Sequence, residues 1–494
     1  MKSIKMNALA NMTVRIMNIV FPLITGPYLA RILNKTDFGN FNVVNTFINF
    51  FIPFATFGVY NYGMRVISGI KDNRERINRT FSALFYMSLI STLLTTTVYY
   101  IYVIFSPATE GLRPLYYVMG FQIFVQFFYI EWMNEAFENY TFILYKTLIL
   151  RVLMLVSIFV FVRTADDIIP YAMVMSLTTF ANFLVSFVWI KRDVSFVKVR
   201  PREMRKLLKP LFALLLLANA NNLYTVLDRL FIAKMHEPVY VTYYTLSWNI
   251  VFLISSVIGG AAAVSLPRLG YYLGCGQKED YENLVNKGSR VFSFFIAPVA
   301  FGLMVLGPAA MLLYGGEKYI GAGICASLFA IRAIPWSVEL IISTQIIFVN
   351  GFETRLTLHN LAGGLVNLSL NSVLYFMGVA RPEYYILTTL FAELMIIVMD
   401  VRFIRQLEIM SLGKIFRNVF RYAAVSAGFI PIFLVIRYFL PAEMIIDRRF
   451  LLQVGMTILL CSSYYILIMH RMRDKVYLEF LDHVKAIRRK IFRR

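Results

Sequence analysis

The chain has 494 residues, 59% of them hydrophobic, and a formal net charge of +21. With a mean hydropathy of +0.65, this composition excludes a soluble globular enzyme and turns the basic excess from a nucleic-acid signal into one suited to an anionic cytoplasmic leaflet. Cys275, Cys325 and Cys461 form neither a CxxC pair nor a disulfide framework; His236, His359, His470 and His483 lack metal-ligand spacing, and no GxxxxGK[ST] loop encodes an ATP-driven step.

Fourteen apolar stretches long enough to cross a bilayer are read near 7–33, 38–66, 80–105, 114–134, 140–162, 168–190, 207–233, 239–267, 290–313, 319–349, 357–378, 384–401, 421–440 and 450–470. The first exceeds a signal-peptide core and has no small-residue cleavage site, so it is expected to be retained. With both termini inside, 36 of the 49 Lys and Arg fall on cytoplasmic segments and 11 on outer ones, while Arg15 and Arg332 sit within spans. Such asymmetry predicts an even number of crossings. The outer connections are turns, leaving little room for an external catalytic domain.

Polar residues inside the spans show where chemistry belongs. In the first span Asn7, Asn11, Arg15, Asn18, Pro22 and Thr25 share a stripe of about 80°, and in the second Asn42, Asn45, Thr46, Asn49, Pro53, Thr56 and Tyr60 share one of roughly 100°. Asn222, Thr225 and Arg229 line one face of the seventh span, with Asn221 and Asp228 adjoining. Thr242, Thr245, Asn249 and Ser256 line the eighth, Arg332, Trp336, Glu339 and Ser343 the tenth, and Asn360, Gly363, Gly364, Asn367 and Asn371 the eleventh. Unpaired polar groups in hydrocarbon cost several kcal/mol, so these stripes face a cavity or one another. Asn, Ser, Thr and Gly also serve as helix-packing residues, whereas an intramembrane charge points to function.

A faint parallel repeat relates PYLARILNKTDFGNFNVVNTFINFFIPFATFG, ending at Gly58, to DRLFIAKMHEPVYVTYYTLSWNIVFLISSVIG, from Asp228 to Gly259. The expected fold is an all-α polytopic membrane protein with 14 transmembrane helices, built as two pseudo-symmetric six-helix lobes plus two extra helices. The boundaries are 1–190 for the first lobe, 191–206 for a basic linker, 207–403 for the second lobe, 404–470 for the added helices and 471–494 for a basic tail. In the tail Phe480, Val484, Ile487 and Ile491 share a helical face amid Lys and Arg, the pattern of a helix lying on an anionic membrane surface.

The stretches NALANMTVRIMNIVFPLITGPYLARILNKTDFGNFNVVNTF, FGVYNYGMRVISGIKDNRERINRTFSALF and DRLFIA with VTYYTLSWNI and SLPRLG resemble lipid-linked oligosaccharide flippases of the multidrug/oligosaccharidyl-lipid/polysaccharide (MOP) exporter superfamily. Within it the N-terminal third is most similar to streptococcal teichoic-acid flippases, with capsular repeat-unit flippases close behind. The resemblance implies alternating access by a polyprenyl-diphosphate-linked glycan through a cavity between the lobes. A diphosphate calls for cations, and Arg15, Arg31, Arg65, Arg229 and Arg332 are the candidates. Sugars call for amides and aromatic faces, which Asn18, Asn45, Asn49, Asn222, Asn249, Trp248 and Trp336 supply. A teichoic-acid cargo carrying phosphocholine would suit an aromatic cage drawn from Tyr60, Tyr62, Tyr129, Trp132, Tyr243, Tyr244 and Trp248.

Asp228, Glu339 and Glu393 are candidates for energy coupling. The expected partners are the lipid-linked glycan, anionic membrane lipids and envelope-polymer biosynthesis enzymes, with no nucleic acid, cofactor or metal, for a monomeric, non-enzymatic transporter in a bacterial plasma membrane. A multidrug exporter of organic cations with the same fold is the alternative.

Overall fold

In the computed structural model of the protein, the backbone is described for residues 4–70, 73–235 and 237–491, without the side chains of 4–12, 15, 16, 18, 19, 217–225, 254–264, 483, 484 and 486–491. The chain is helical, with no strand among the described residues. Eight segments are long and apolar enough to cross a membrane by length and composition: Lys35–Gly69, Arg74–Phe105, Tyr140–Phe161, Ile168–Ile190, Lys278–Gly315, Glu317–Phe348, Gly413–Phe439 and Arg448–Arg471. Their outward faces carry bare aliphatic side chains, such as Ile149, Val152, Leu153 and Val156 on one helix and Leu451, Leu452, Leu459 and Leu467 on another, as hydrocarbon solvent permits.

Contacts divide the chain into two units, Met1–Thr242 and Tyr243–Arg494. The first holds α1 (Ile4–Ile32), α2 (Lys35–Thr56), α3 (Val59–Gly69), α4 (Arg74–Phe105), α5 (Arg113–Phe124), α6 (Glu131–Ala136), α7 (Tyr140–Phe161), α8 (Ile168–Ile190), α9 (Pro201–Lys234) and the start of α10 (Pro238–Gly274). Asn34 caps α2 by accepting from the Thr36 amide at 2.9 Å. Two bonds staple the α1–α2 corner to the end of α7: the Asn34 amide donates to the Ala165 carbonyl at 2.9 Å, and the Tyr28 hydroxyl to that of Val162 at 2.7 Å. The apolar core gathers Ile67, Phe81, Leu84, Trp132, Met133, Ile190 and Leu211 from α3, α4, α6, α8 and α9.

Two spans of this unit that were expected to be continuous are broken. The second bends at Phe57 and Gly58, both left-handed, at φ 47° and 72°, separating α2 from α3. A β-carbon on Gly58 would stand 2.5 Å from the Leu211 carbonyl oxygen of α9, so this position needs glycine for its dihedral and for its clearance. Gly58→Ala is expected to lower the thermal midpoint of detergent-solubilised protein clearly, while Gly69→Ala, where a β-carbon meets nothing within 4 Å, leaves it nearly unchanged.

The fourth span, expected over 114–134, stops as an α-helix at Phe124. It continues as a 3₁₀ turn over Val125–Phe128, passes through Tyr129 and Ile130, and resumes as α6. From Phe121 to Asn134 the run has no glycine or proline to mark this break. What stabilises it is tertiary: Phe127 packs on Phe85 of α4 with ring centroids 6.1 Å apart and Phe128 on Phe187 of α8 at 5.1 Å, and the restart turns the Glu131 side chain towards α7 and α8.

The second unit continues through α11 (Lys278–Gly315), α12 (Gly323–Leu340), α13 (Glu353–Phe376), α14 (Pro382–Gln406), α15 (Gly413–Ser426), α16 (Phe429–Phe439), α17 (Arg448–Arg471) and α18 (Lys475–Ile491). Its core joins Leu269, Tyr281, Val285, Ile341, Ile346, Ile404 and Ile415. The tenth span widens into a π-helix over Ile341–Phe348, where the Tyr281 hydroxyl donates to the Gln345 carbonyl at 2.8 Å. The expected thirteenth span is split into α15 and α16 at Ala427 and Gly428.

The tail begins at a buried node. Asp474 accepts from the Tyr422 hydroxyl at 2.8 Å and from the Val476 amide at 3.0 Å, with Arg421 at 3.3 Å, so α18 starts seated on α15. Of its expected apolar stripe, Phe480 is exposed, and Val484, Ile487 and Ile491 lie outside the described side chains.

Candidate functional site

In the first unit the break before α6 gathers polar side chains where hydrocarbon would otherwise exclude them. Glu131 accepts from the Lys146 ammonium of α7 at 2.8 Å, with side chains only 14% and 3% exposed. Ser186 of α8 accepts from Lys146 at 2.7 Å and itself donates to the same carboxylate. One turn on, Glu135 accepts from the Tyr60 hydroxyl at 2.6 Å. Tyr60 lies nearly parallel to Tyr129, with ring centroids 5.8 Å apart and planes 7° apart. Trp132 is buried against Gly63, whose β-carbon would meet the indole at 2.5 Å. Asn134 is buried, with neither amide atom hydrogen-bonded among the described residues.

Lys146 and Arg151 were counted in the sequence as cytoplasmic charges. Both fall within the span read at 140–162, and the structure places them inside α7, so neither belongs in that tally. Arg151 is half-buried, its guanidinium 5.3 Å from the Phe21 ring of α1. Its position in the 22-residue α7 is mid-depth in a hydrocarbon core about 30 Å thick. An arginine there costs about 2.5–3.5 kcal/mol on insertion scales. The ring contact offsets roughly 0.5–1 kcal/mol of it.

In the second unit Arg332 of α12 makes a two-pronged bridge to Glu393 of α14, at 2.8 and 2.5 Å, with side chains 4% and 2% exposed. The guanidinium also stands 5.4 Å from the Trp248 ring and 5.6 Å from Phe329. These groups, with Val251, Phe252, Ala333 and Trp336, line a cleft of about 50 Å³, space for a few waters rather than a sugar ring. Glu339 is buried on the same helix, two turns from Arg332, and Asp400 is buried on α14, 2.6 Å from His359 Nδ1. Three carboxylates thus share an interior with one guanidinium and one imidazole.

The polar stripe of α13 is spent on packing: Asn367 donates to Thr389 at 3.0 Å, Asn371 to Asn367 at 3.1 Å, and Thr388 of α14 to Asn371 at 2.6 Å. Asn42 of α2 and Thr242 of α10 likewise pair at 3.0 Å. Of the expected site residues, Trp248, Arg332, Trp336, Glu339 and Glu393 come together around α12. Asn249 is half-buried on α10, as are Asn45 and Asn49 on α2; Arg31 and Arg65 are exposed. On α9 Asp228 is buried and Arg229 half-buried, and α9 packs on α2, α3 and α4 in the first unit. The calls on Arg15, Asn18 and Asn222 fall outside the described side chains. Sequence reading missed Glu131, Glu135, Lys146 and Arg151. Two cations five residues apart inside an apolar run were the available signal, and they were tallied with the cytoplasmic charges instead.

Residues 4–272 match the family model described as "Polysaccharide biosynthesis protein". The chain belongs to this polysaccharide biosynthesis family. Two curated relatives, from Shigella dysenteriae and Escherichia coli (strain K12), are each 19% identical, over 80% and 79% of this chain and 98% and 92% of their own lengths; both are named "Putative O-antigen transporter". Among solved structures, an inward closed conformation of the lipid II flippase MurJ superposes with a TM-score of 0.70 at 13% identity, over 94% of this chain and 99% of that one. An inward-facing MATE-family multidrug transporter of the MOP superfamily gives 0.62 at 15% identity, over 82% and 99%. At these identities the likeness establishes the fold. In this polysaccharide biosynthesis protein the candidate residues rest on their own geometry.

Proposed function

We propose that this polysaccharide biosynthesis protein is a flippase that moves a polyprenyl-diphosphate-linked glycan from the inner to the outer leaflet by alternating access. The observation that carries the reading is the meeting, on one chain, of a polysaccharide-family match over residues 4–272 with a fold shared with a lipid II flippase. Cations inside the spans, Lys146, Arg151 and Arg332, with Arg15 on the first, suit an anionic cargo. The full reading has fourteen crossings in lobes 1–190 and 207–403, added helices 404–470, and both termini cytoplasmic in a bacterial plasma membrane. Asp228, Glu339 and Glu393 are its coupling candidates.

Teichoic-acid precursors and capsular repeat units are the cargo classes we favour. A phosphocholine-bearing cargo is supported by the parallel Tyr60 and Tyr129 rings next to Glu135, a combination that attracts quaternary ammonium groups. The carboxylates Glu339, Glu393 and Asp400 buried in the second unit favour a second reading, export of organic cations.

Depletion of the protein in its native cell, followed by labelling of lipid-linked precursors with a membrane-impermeant reagent, separates the two. Precursor is expected to accumulate on the inner face while drug tolerance stays constant. An unchanged precursor distribution with lowered tolerance to cationic drugs would establish the exporter instead.

A further inference from the structure

We propose that the second unit holds a proton-binding column, entered at the His359–Asp400 pair and ending on Glu339. The inference rests on the transporter reading above and names the proton as its coupling ion. Two of the three carboxylates in this interior have a basic partner: Glu393 has Arg332, and Asp400 has His359, whose Nδ1 stands 2.6 Å away. The third, Glu339, is 7% exposed, and among the described residues no hydrogen bond or ion pair reaches it. It interacts electrostatically with Glu393, Asp400 and Arg332. The deepest charged residue of α11, Arg290, and Arg421 of α15 lie instead by Tyr422 and Asp474. With two acids beside it, an ionised Glu339 is too costly to keep in hydrocarbon, and the group is stable there with a proton.

The groups lie at successive depths. His359 is in the second turn of α13 and Asp400 in the last two turns of α14, the end of the helix pair that the proposed topology puts at the cytoplasmic face. Glu339 interacts with both Asp400 and Glu393, two turns apart on α14, and so sits between them. His359 is the member of its pair that reaches the surface, its side chain 12% exposed against 0% for Asp400. Further in, Asp400 Oδ2 and Asn360 Oδ1 are buried with no hydrogen bond among the described residues. Asn360 shares the α13 stripe that faces α14, where Gly363 lies against Ile396 and Asn367 donates to Thr389. Two such acceptors suit a bridging water or a protonated carboxyl. A proton taken up at His359 Nε2 is matched by one passed from Nδ1 to Asp400, and Asp400 passes one on to Glu339, so each donor is restored and one charge moves. Among the described residues no three Asp, Glu, His or Cys side chains gather as a metal ion would require, whereas a proton needs one acceptor at a time.

The test is infrared spectroscopy of the full-length protein in liposomes without cargo, which keeps it apart from the precursor labelling that decides the flippase reading. Surface carboxylates are ionised at neutral pH. There the wild type is expected to show a protonated-carboxyl C=O stretch, and Glu339→Gln to lose it. Glu339→Asp should keep the band at a shifted frequency, and serves if the glutamine variant does not fold. His359→Gln should retain the band but slow its exchange with deuterated water by about a hundredfold, as loss of a positioned acid–base group does. Absence of the band from the wild type, or its survival in Glu339→Gln, overturns the proton assignment. Unchanged exchange in His359→Gln overturns the port. Carboxylate bands that respond to sodium and not to acid overturn the proton in favour of a metal cation. Glu339→Gln with a normal precursor distribution in cells overturns the coupling role and leaves the flippase reading standing.

Discussion

Arg332→Met is expected to unfold the second unit more readily than any surface change, by about 3–5 kcal/mol, the usual consequence of removing one member of a buried ion pair. Glu393, 2% exposed, would lose both of its hydrogen bonds from the guanidinium and be left near the buried Glu339 and Asp400. Arg332→Met with Glu393→Met removes both charges at similar volume, and its stability should recover to near the wild-type value. The midpoint of thermal unfolding followed by intrinsic fluorescence would measure both. Transport separates the roles. If Arg332 contacts cargo, the double variant folds yet fails to complement a depleted strain; if the pair is a structural clamp between α12 and α14, complementation returns with stability. We expect the first outcome, because the guanidinium also borders the cleft walled by Trp248 and Trp336.

Lys146→Met should be nearly as damaging in the first unit. It deprives Glu131 of its 2.8 Å partner and Ser186 of a donor, leaving a carboxylate at a helix break inside the membrane, where an uncompensated charge again costs about 3–5 kcal/mol. The break itself is then at risk, since Glu131 opens α6 and its ion pair draws that turn towards α7. Hydrogen exchange is expected to rise over 125–137 while α15 to α17 stay protected. Unchanged exchange there would show that aromatic packing around Phe127, Phe128 and Trp132 holds the break without the ion pair. Lys146→Met combined with Glu131→Gln should restore part of the protection, because the remaining amide can still bond to Ser186.

Much of the fold was legible because hydrocarbon is an unforgiving solvent. Backbone groups have no partner there outside a helix, so long apolar runs read directly as helices. Of the stripe read on the second span, Asn42 and Thr46 are buried and Asn45, Asn49, Pro53 and Thr56 half-buried on α2, whereas Tyr60 falls on α3 beyond the turn at Phe57 and Gly58. The eleventh-span Asn series was recognised as polar lining, but its partners, Thr388 and Thr389, needed the structure. A stripe tells which face is polar and is silent on whether a cavity or a neighbouring helix meets it.

The sequence by itself determined the helical class and which helix faces are polar, since each follows from local periodicity or from transfer energies that act residue by residue. Only the tertiary structure decided where the helices break and which charges meet. At the turn of Phe57 and Gly58, α9 brings its Leu211 carbonyl so close that a β-carbon on residue 58 would stand 2.5 Å from it. The interruption after Phe124 is stabilised by side chains from α7 and α8. Arg332 and Glu393, 61 residues apart, were read separately, one for cargo binding and one for coupling, and folding places them at bonding distance. Lys146, six residues into the span read at 140–162, was tallied with the cytoplasmic charges because one cation near the start of an apolar run reads as its border. Its burial becomes affordable only through a carboxylate on another helix, a long-range term that no window along the chain contains.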